Sequence, residues 1–270
     1  MSTPIYNKII TQIYEIQTPY EAEMLSEIGV DHIGSVLTSE RPVRQPLLKE
    51  TIETVKRSAS KSSLIPLFSD IDSISYALDY YKPDIVHFCE DIYRYEKCCS
   101  GIGSLIDLQQ RIKERFPGIL VMRSIPIPQE GGQEPVASTG LAKIFESVSD
   151  FFLTDTVIIK NSELLLPDQP VNGFVGITGL KCDWDIARKF VDSTDIPVIL
   201  AGGLSPENVF DGIMKVKPAG VDSCTNTNAR DVQGNPVRFE KDIKKVEKLL
   251  KETERAQKKL ADSINRKQYA

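Results

Sequence analysis

The stretch PVILAGGLSPENV, residues 197–209, ends a short apolar run in two adjacent glycines, Gly202 and Gly203, and then continues through Ser205, Pro206 and Glu207. Ser-Pro-Glu is helix-start chemistry: a hydroxyl for the N-cap, a proline with φ already set, an acid toward the dipole. Glycine lets backbone N–H groups approach a ligand oxygen with no Cβ in the way, and a helix N-terminus adds unpaired donors. Together they suit an anion, phosphate above all. The other use of such a pair is a tight turn that needs positive φ. Thiols and imidazoles offer less. The 5 cysteines (Cys89, Cys98, Cys99, Cys182 and Cys224) are an odd number, and the adjacent pair lacks zinc spacing. They read as reduced and mostly structural. With only His32 and His87 in the chain, no metal site is expected.

Such a loop needs a scaffold, and strand-like and helix-like segments alternate along the 270 residues. Strands are predicted at Lys8–Ile16, Asp31–Leu37, Ser63–Phe68, Asp84–Cys89, Ile119–Ile125, Phe151–Asp155, Val198–Ala201 and Gly220–Cys224. Helices are predicted at Pro19–Ile28, Leu47–Arg57, Asp72–Tyr81, Leu105–Phe116, Leu141–Val148, Asp183–Asp192 and Pro206–Val216. A long last helix is expected from about Arg238. Residues 126–138, PIPQEGGQEPVAS, are the best loop candidate. No composition shift marks a linker, so residues 1–270 read as one domain, with about 252–270 as a basic helical extension. Eight strand–helix units predict a (β/α)8 TIM barrel. An open doubly wound sheet is the alternative, weakened by the lack of G-x-G-x-x-G after the first strand. In a barrel the loops after strands seven and eight commonly hold phosphate, and Gly202–Gly203 end the seventh.

A net charge of −5 and a pI near 5.3 argue against a general nucleic-acid binder. No apolar stretch is long enough to span a bilayer, and MSTPIYNKII lacks the signal-peptide pattern. A cytoplasmic protein is expected, with a small phosphorylated partner and no nucleic acid or membrane; a homodimer stays open.

PVILAGGLSPENV followed by VKPAGVDS resembles the C-terminal part of the phosphoribosylanthranilate isomerase family of tryptophan biosynthesis. FFLTDT resembles the family's sixth strand, GITGLKCDW its following loop, and EIQTPYEAEMLSEIGVDHIGSVL its first helix and second strand. The resemblance spans roughly residues 8–250 and is most specific near the C-terminus. It implies a cofactor-independent Amadori rearrangement, in which an acid protonates the sugar ring oxygen and a base removes the C2 proton. Asp155 matches the family's acid. Tyr14 stands where the family has its cysteine base, and Glu15 where a glycine follows it. A phenol is poorly matched to that step at neutral pH. Glu15 and Cys89 are substitute candidates.

By the same resemblance Gly202, Gly203, Thr225 and Asn226 hold phosphate, although Cys224-Thr225-Asn226 replaces a Ser-Ser-Gly type turn. Arg41 or Arg44 would meet the anthranilate carboxylate, and Thr178 and Gly179 would line the substrate. Arg123 is a further arginine whose direction the sequence does not give. Two other readings remain open here. One is a divergent barrel with another phosphorylated substrate and Tyr14 as a positioning or acid group. The other is a non-catalytic phospho-ligand binder.

Overall fold

The inward faces of successive strands carry the residues that decide the fold. The strands of the computed structural model are β1 (Ile10–Ile13), β2 (His32–Thr38), β3 (Lys61–Leu67), β4 (Ile85–Phe88), β5 (Leu120–Pro128), β6 (Phe151–Lys160), β7 (Glu163–Leu165), β8 (Val198–Leu200) and β9 (Gly220–Ser223). The structure describes residues 8–38, 43–93, 101–132, 136–160, 163–165, 173–176 and 178–268. All of these strands but β7 run parallel in the order β5-β4-β3-β2-β1-β9-β8-β6, and β5 pairs with β6 to close the ring. The chain folds as a (β/α)8 TIM barrel with a C-terminal helix.

Period-two alternation explains the partition of side chains. Ile85, Met122, Leu153 and Ile199 form one buried cluster with Tyr14, inside the ring. Ile13, Ile125, Phe152, Leu200 and Val221 alternate with them and join the larger cluster beneath the helices. The helices are α1 (Pro19–Glu27), α2 (Pro46–Lys56), α3 (Ile71–Tyr81), α4 (Ile102–Arg115), α5 (Ser138–Phe145), α6 (Trp184–Val191), α7 (Val209–Val216) and α8 (Ile243–Gln268). Their starts follow local chemistry. Thr18 caps α1 by accepting from the Glu21 amide, Asp70 caps α3 through the Ser73 amide, and Asp183 caps α6 through two amides.

Four expectations are corrected. The last helix begins at Ile243, because β10 (Asn228–Arg230) and β11 (Pro236–Lys241) form an antiparallel hairpin first. Its turn is set by Asp231, which takes the amides of Gln233 and Asn235, and by Gly234 at φ +86°. The extension expected from about residue 252 starts later. Thr253 and Ala256 are buried, and Gln257 accepts the Ile9 amide at 2.9 Å. The expected loop 126–138 is strand up to Pro128 and helix from Ser138. Finally, α7 starts at Val209, one turn beyond Ser205. Ser205 and Asn208 tie that turn instead: Asn208 Oδ1 accepts the Ser205 amide at 2.8 Å, and Ser205 Oγ the Glu207 amide at 3.2 Å. Among the described residues no helix is long and apolar enough to cross a membrane.

Candidate active site

A cavity of about 840 Å³, part of it open to solvent, lies at the C-terminal ends of the strands, where this architecture keeps its chemistry. Gly202, Gly203, Thr225, Asn226, Thr178, Gly179, Asp155 and Tyr14 all line it.

The three turns on one side touch each other. A Cβ on Gly203 would lie 2.5 Å from Leu180 C and Lys181 N, and one on Gly202 2.2 Å from Thr156 Oγ1. Both glycines also have positive φ, +93° and +64°. A Cβ on Gly179 would sit 3.4 Å from Thr225 Cγ2. Ser223 Oγ donates to the Leu204 carbonyl at 2.8 Å, joining the β8 and β9 turns. The turn requires positive φ, and the same bare backbone faces the cavity. Thr225–Thr227 is a single 3-10 turn, and the first amides of such a turn have no acceptor within it.

Asp155 stands on the inward face of β6 and lines the cavity. Its carboxyl is pushed up to about 7 by burial first and by the charge of Asp222 second. Gly176, with φ +127°, passes over it, and a Cβ there would come within 3.2 Å of Asp155 Oδ2. Ser124 Oγ donates to that oxygen at 3.5 Å.

Tyr14 leans across Gly34, where a Cβ would fall 2.1 Å from its ring. Its hydroxyl is 2.7 Å from both Ser63 Oγ and His87 Nδ1, and His87 Nε2 is 2.9 Å from Ser124 Oγ. A buried chain Tyr14–His87–Ser124–Asp155 therefore crosses the mouth. Burial lowers His87 to about 3, so the ring is neutral, and one nitrogen donates while the other accepts. Burial drives the Tyr14 phenol well above its ordinary value. Tyr14 is thus a protonated member of a hydrogen-bonded chain, with its oxygen already shared.

Glu15 also takes an unusual conformation, φ +69°. The β10–β11 hairpin holds it there: Arg238 Nε donates to Oε1 at 2.8 Å and Asn228 Nδ2 to Oε2 at 3.4 Å. Opposite the turns, Val36, Leu67, Cys89 and Phe174 form an apolar wall. Burial pushes the Cys89 thiol up.

Two arginines lie elsewhere. Arg44 is on the outside, its guanidinium 4.4 Å from the Tyr76 ring and 5.1 Å from the Tyr80 ring, so the expected carboxylate contact is corrected. Stacking on α3 holds it away from the mouth. Arg123 points from β5 into the helix layer, paired with buried Glu90 at 2.5 Å. Arg41 lies outside the described residues.

Sequence reasoning missed Asp222, a carboxylate on the inward face of β9 that lines the cavity. It also missed His87 and Ser124. The signal was present: a polar residue inside an otherwise apolar strand, as in IVHF or GVDS, marks a lumenal position.

The model of the family N-(5'-phosphoribosyl)anthranilate isomerase matches residues 134–227, which carry Asp155, the glycine turn and Asp222. The isomerase of that name from Methanosarcina acetivorans is 28% identical over 91% of this chain and 93% of its own length. Along most of its length this chain is similar to the phosphoribosylanthranilate isomerases. The solved N-(5'-phosphoribosyl)anthranilate isomerase of Pyrococcus furiosus shares the fold with a TM-score of 0.62 at 22% identity, covering 92% of this chain and 99% of that one. A further phosphoribosylanthranilate isomerase, solved with reduced 1-(o-carboxyphenylamino)-1-deoxyribulose 5-phosphate, gives 0.60 at 19% identity, covering 91% and 98%. The matched region supplies the glycine turn and both inward carboxylates, Asp155 and Asp222, at the mouth. Tyr14 and Glu15 lie on the opposite side, outside the matched residues.

Proposed function

We propose that this chain is an N-(5'-phosphoribosyl)anthranilate isomerase, acting in tryptophan biosynthesis. The observation that carries it is the polarity of one cavity: a buried, raised carboxyl at Asp155 between a glycine-lined anion cradle and an apolar wall. Gly202, Gly203, Thr225 and Asn226 hold the 5'-phosphate with backbone and side-chain donors. Thr178 and Gly179 close over the sugar. Val36, Leu67 and Phe174 receive the aryl ring. Asp155, protonated near neutral pH, donates to the ring oxygen as the glycosylamine opens.

One observation favours a second reading, a phospho-ligand-binding barrel without turnover: Tyr14 is locked by Ser63 and His87 and offers no free base. A fluorescence assay with N-(5'-phosphoribosyl)anthranilate separates the two. Turnover by the wild-type chain, lost in Asp155→Asn with binding of the reduced product analogue retained, supports the isomerase. Binding of the analogue with no turnover supports the second reading.

A further inference from the structure

An aldose-to-ketose isomerisation needs a base as well as an acid. We propose, resting on the isomerase reading, that Asp222 is the general base of this chain and works opposite Asp155 across the small side chain of Ala201.

Register puts these residues level. Leu153 of β6 pairs with Ile199 of β8, and Ile199 with Gly220 of β9. Two residues further along each strand come Asp155, Ala201 and Asp222, all on the inward face and all lining the cavity. The carboxylates therefore flank the β8 strand, about 10 Å apart at the backbone for two strand spacings. On the intervening strand the level side chain is the Ala201 methyl. Gly202 and Gly203 follow Ala201 directly, so a phosphate held there sets the sugar carbons over the gap.

The other cavity-facing groups are already committed. The Tyr14 oxygen serves Ser63 and His87, and both His87 nitrogens are engaged. Glu15 is paired with Arg238. The Cys89 and Cys224 thiols are pushed up by burial. Asp222 accepts from Gln12 Nε2 through Oδ1 at 3.2 Å, and among the described residues no donor takes Oδ2.

Electrostatics divides the labour. Burial raises Asp222 to about 7, while Gln12 of β1 and the Lys241 ammonium of β11 favour its charged form. Among the described residues no cation acts on Asp155, and the Asp222 charge raises it further. These neighbours bias the proton of the pair toward Asp155 and the charge toward Asp222, which is the division that acid and base require.

The step balances. The substrate nitrogen forms C1=N as the C1–O4 pair leaves to oxygen, which takes the Asp155 proton. The Asp222 carboxylate removes the C2 proton, the C2–H pair becomes C1=C2, and the C=N pair returns to nitrogen. The enaminol then takes a proton at C1 from Asp222 and returns its O2 proton to Asp155, which leaves the aminoketose and restores both carboxyls.

The test compares the wild type with Asp222→Asn and with Asp222→Ala plus formate, using substrate carrying hydrogen or deuterium at C2. Expected for Asp222→Asn is a fall in kcat of about 10²–10⁴-fold. Affinity for the reduced product analogue stays near wild type. The acidic limb of the kcat/KM profile disappears, and formate restores turnover to Asp222→Ala with a C2 isotope effect. Formate rescue reports on the base even where Asp222→Asn fails to fold. Turnover within about tenfold of wild type, with the acidic limb intact, overturns the assignment, as does a loss of analogue binding without formate rescue. Activity that survives Asp222→Asn but not Tyr14→Phe moves the base to Tyr14. An inactive wild type removes the isomerase reading itself, a result distinct from all of these.

Discussion

The two sides of the barrel mouth are built on opposite plans. On the β6–β8–β9 side, glycine and small residues keep the backbone bare, and the turns touch through Gly179, Gly203 and Ser223. On the β1–β4 side, side chains fill the mouth. Tyr14 lies on Gly34, His87 bridges to Ser124, and Glu15 is pinned in a left-handed conformation by the hairpin. Bare backbone can serve a bound anion without rearrangement, since its donors are fixed by the fold. A filled side must recruit its chemistry from whatever carboxylates the filling leaves free. The comparison teaches that the glycine side is fixed by its backbone, whereas the other side is fixed by the hydrogen bonds of buried side chains around Tyr14.

The largest effect that would sharpen this contrast is on Asp155. Asp155→Asn is expected to lower kcat by about 10²–10⁴-fold, near 3–5 kcal/mol in the barrier, with the analogue still bound. Steady-state kinetics alongside a binding titration checks it, and undiminished turnover would break the comparison at its centre.

Next comes Gly203→Ala. Its Cβ would enter the Leu180–Lys181 backbone from a φ of +64°, so a stability loss of about 1–3 kcal/mol is expected, with weaker analogue binding. Urea unfolding and calorimetric titration measure the two consequences. A Gly203→Ala variant with native stability and affinity would mean that the cradle is not tight.

On the filled side, Tyr14→Phe removes the hydroxyl that Ser63 and His87 share. Leaving those buried groups unpaired costs about 1–3 kcal/mol, to be read in a urea melt. If stability is unchanged, Tyr14 is not tied into its surroundings as the distances indicate.

The most diagnostic effect is on pH. Asp155 and Asp222 each rise to about 7 in the folded chain, against about 4 in an unfolded one. The folded state then binds more protons between those values, so the stability these groups contribute is complete below about pH 4 and declines as pH rises to about 7. Asp222→Asn should flatten that decline in denaturation curves collected across the interval. A curve that steepens instead would place both carboxyls outside the buried pair.

Much of this was legible in the chain. Eight alternating units, the caps at Thr18, Asp70 and Asp183, and the glycine turn after β8 are local signals, each decided by a few neighbouring residues. The hairpin before α8 was misread because PVRFEK is rich in charge, and the turn chemistry of Asp231 and Gly234 was overlooked. Arg44, one of the two arginines offered for the carboxylate, lies elsewhere for a different reason. Proximity to the end of β2 in sequence says nothing about the rings on α3 that hold it outside.

By itself the sequence determined the periodicities, the helix starts and the positions where only a bare backbone fits, since these follow from conformational preferences within a few residues. The tertiary structure alone decided that Asp155, Ala201 and Asp222 stand level, that Tyr14 spends its hydroxyl on His87 and Ser63, and that Arg238 reaches back to Glu15. Those facts depend on strand register and ring closure, which bring together residues up to 223 positions apart. Burial in that shared interior raises both carboxyls, and the neighbours that the fold places there, Gln12 and Lys241 beside Asp222, separate them.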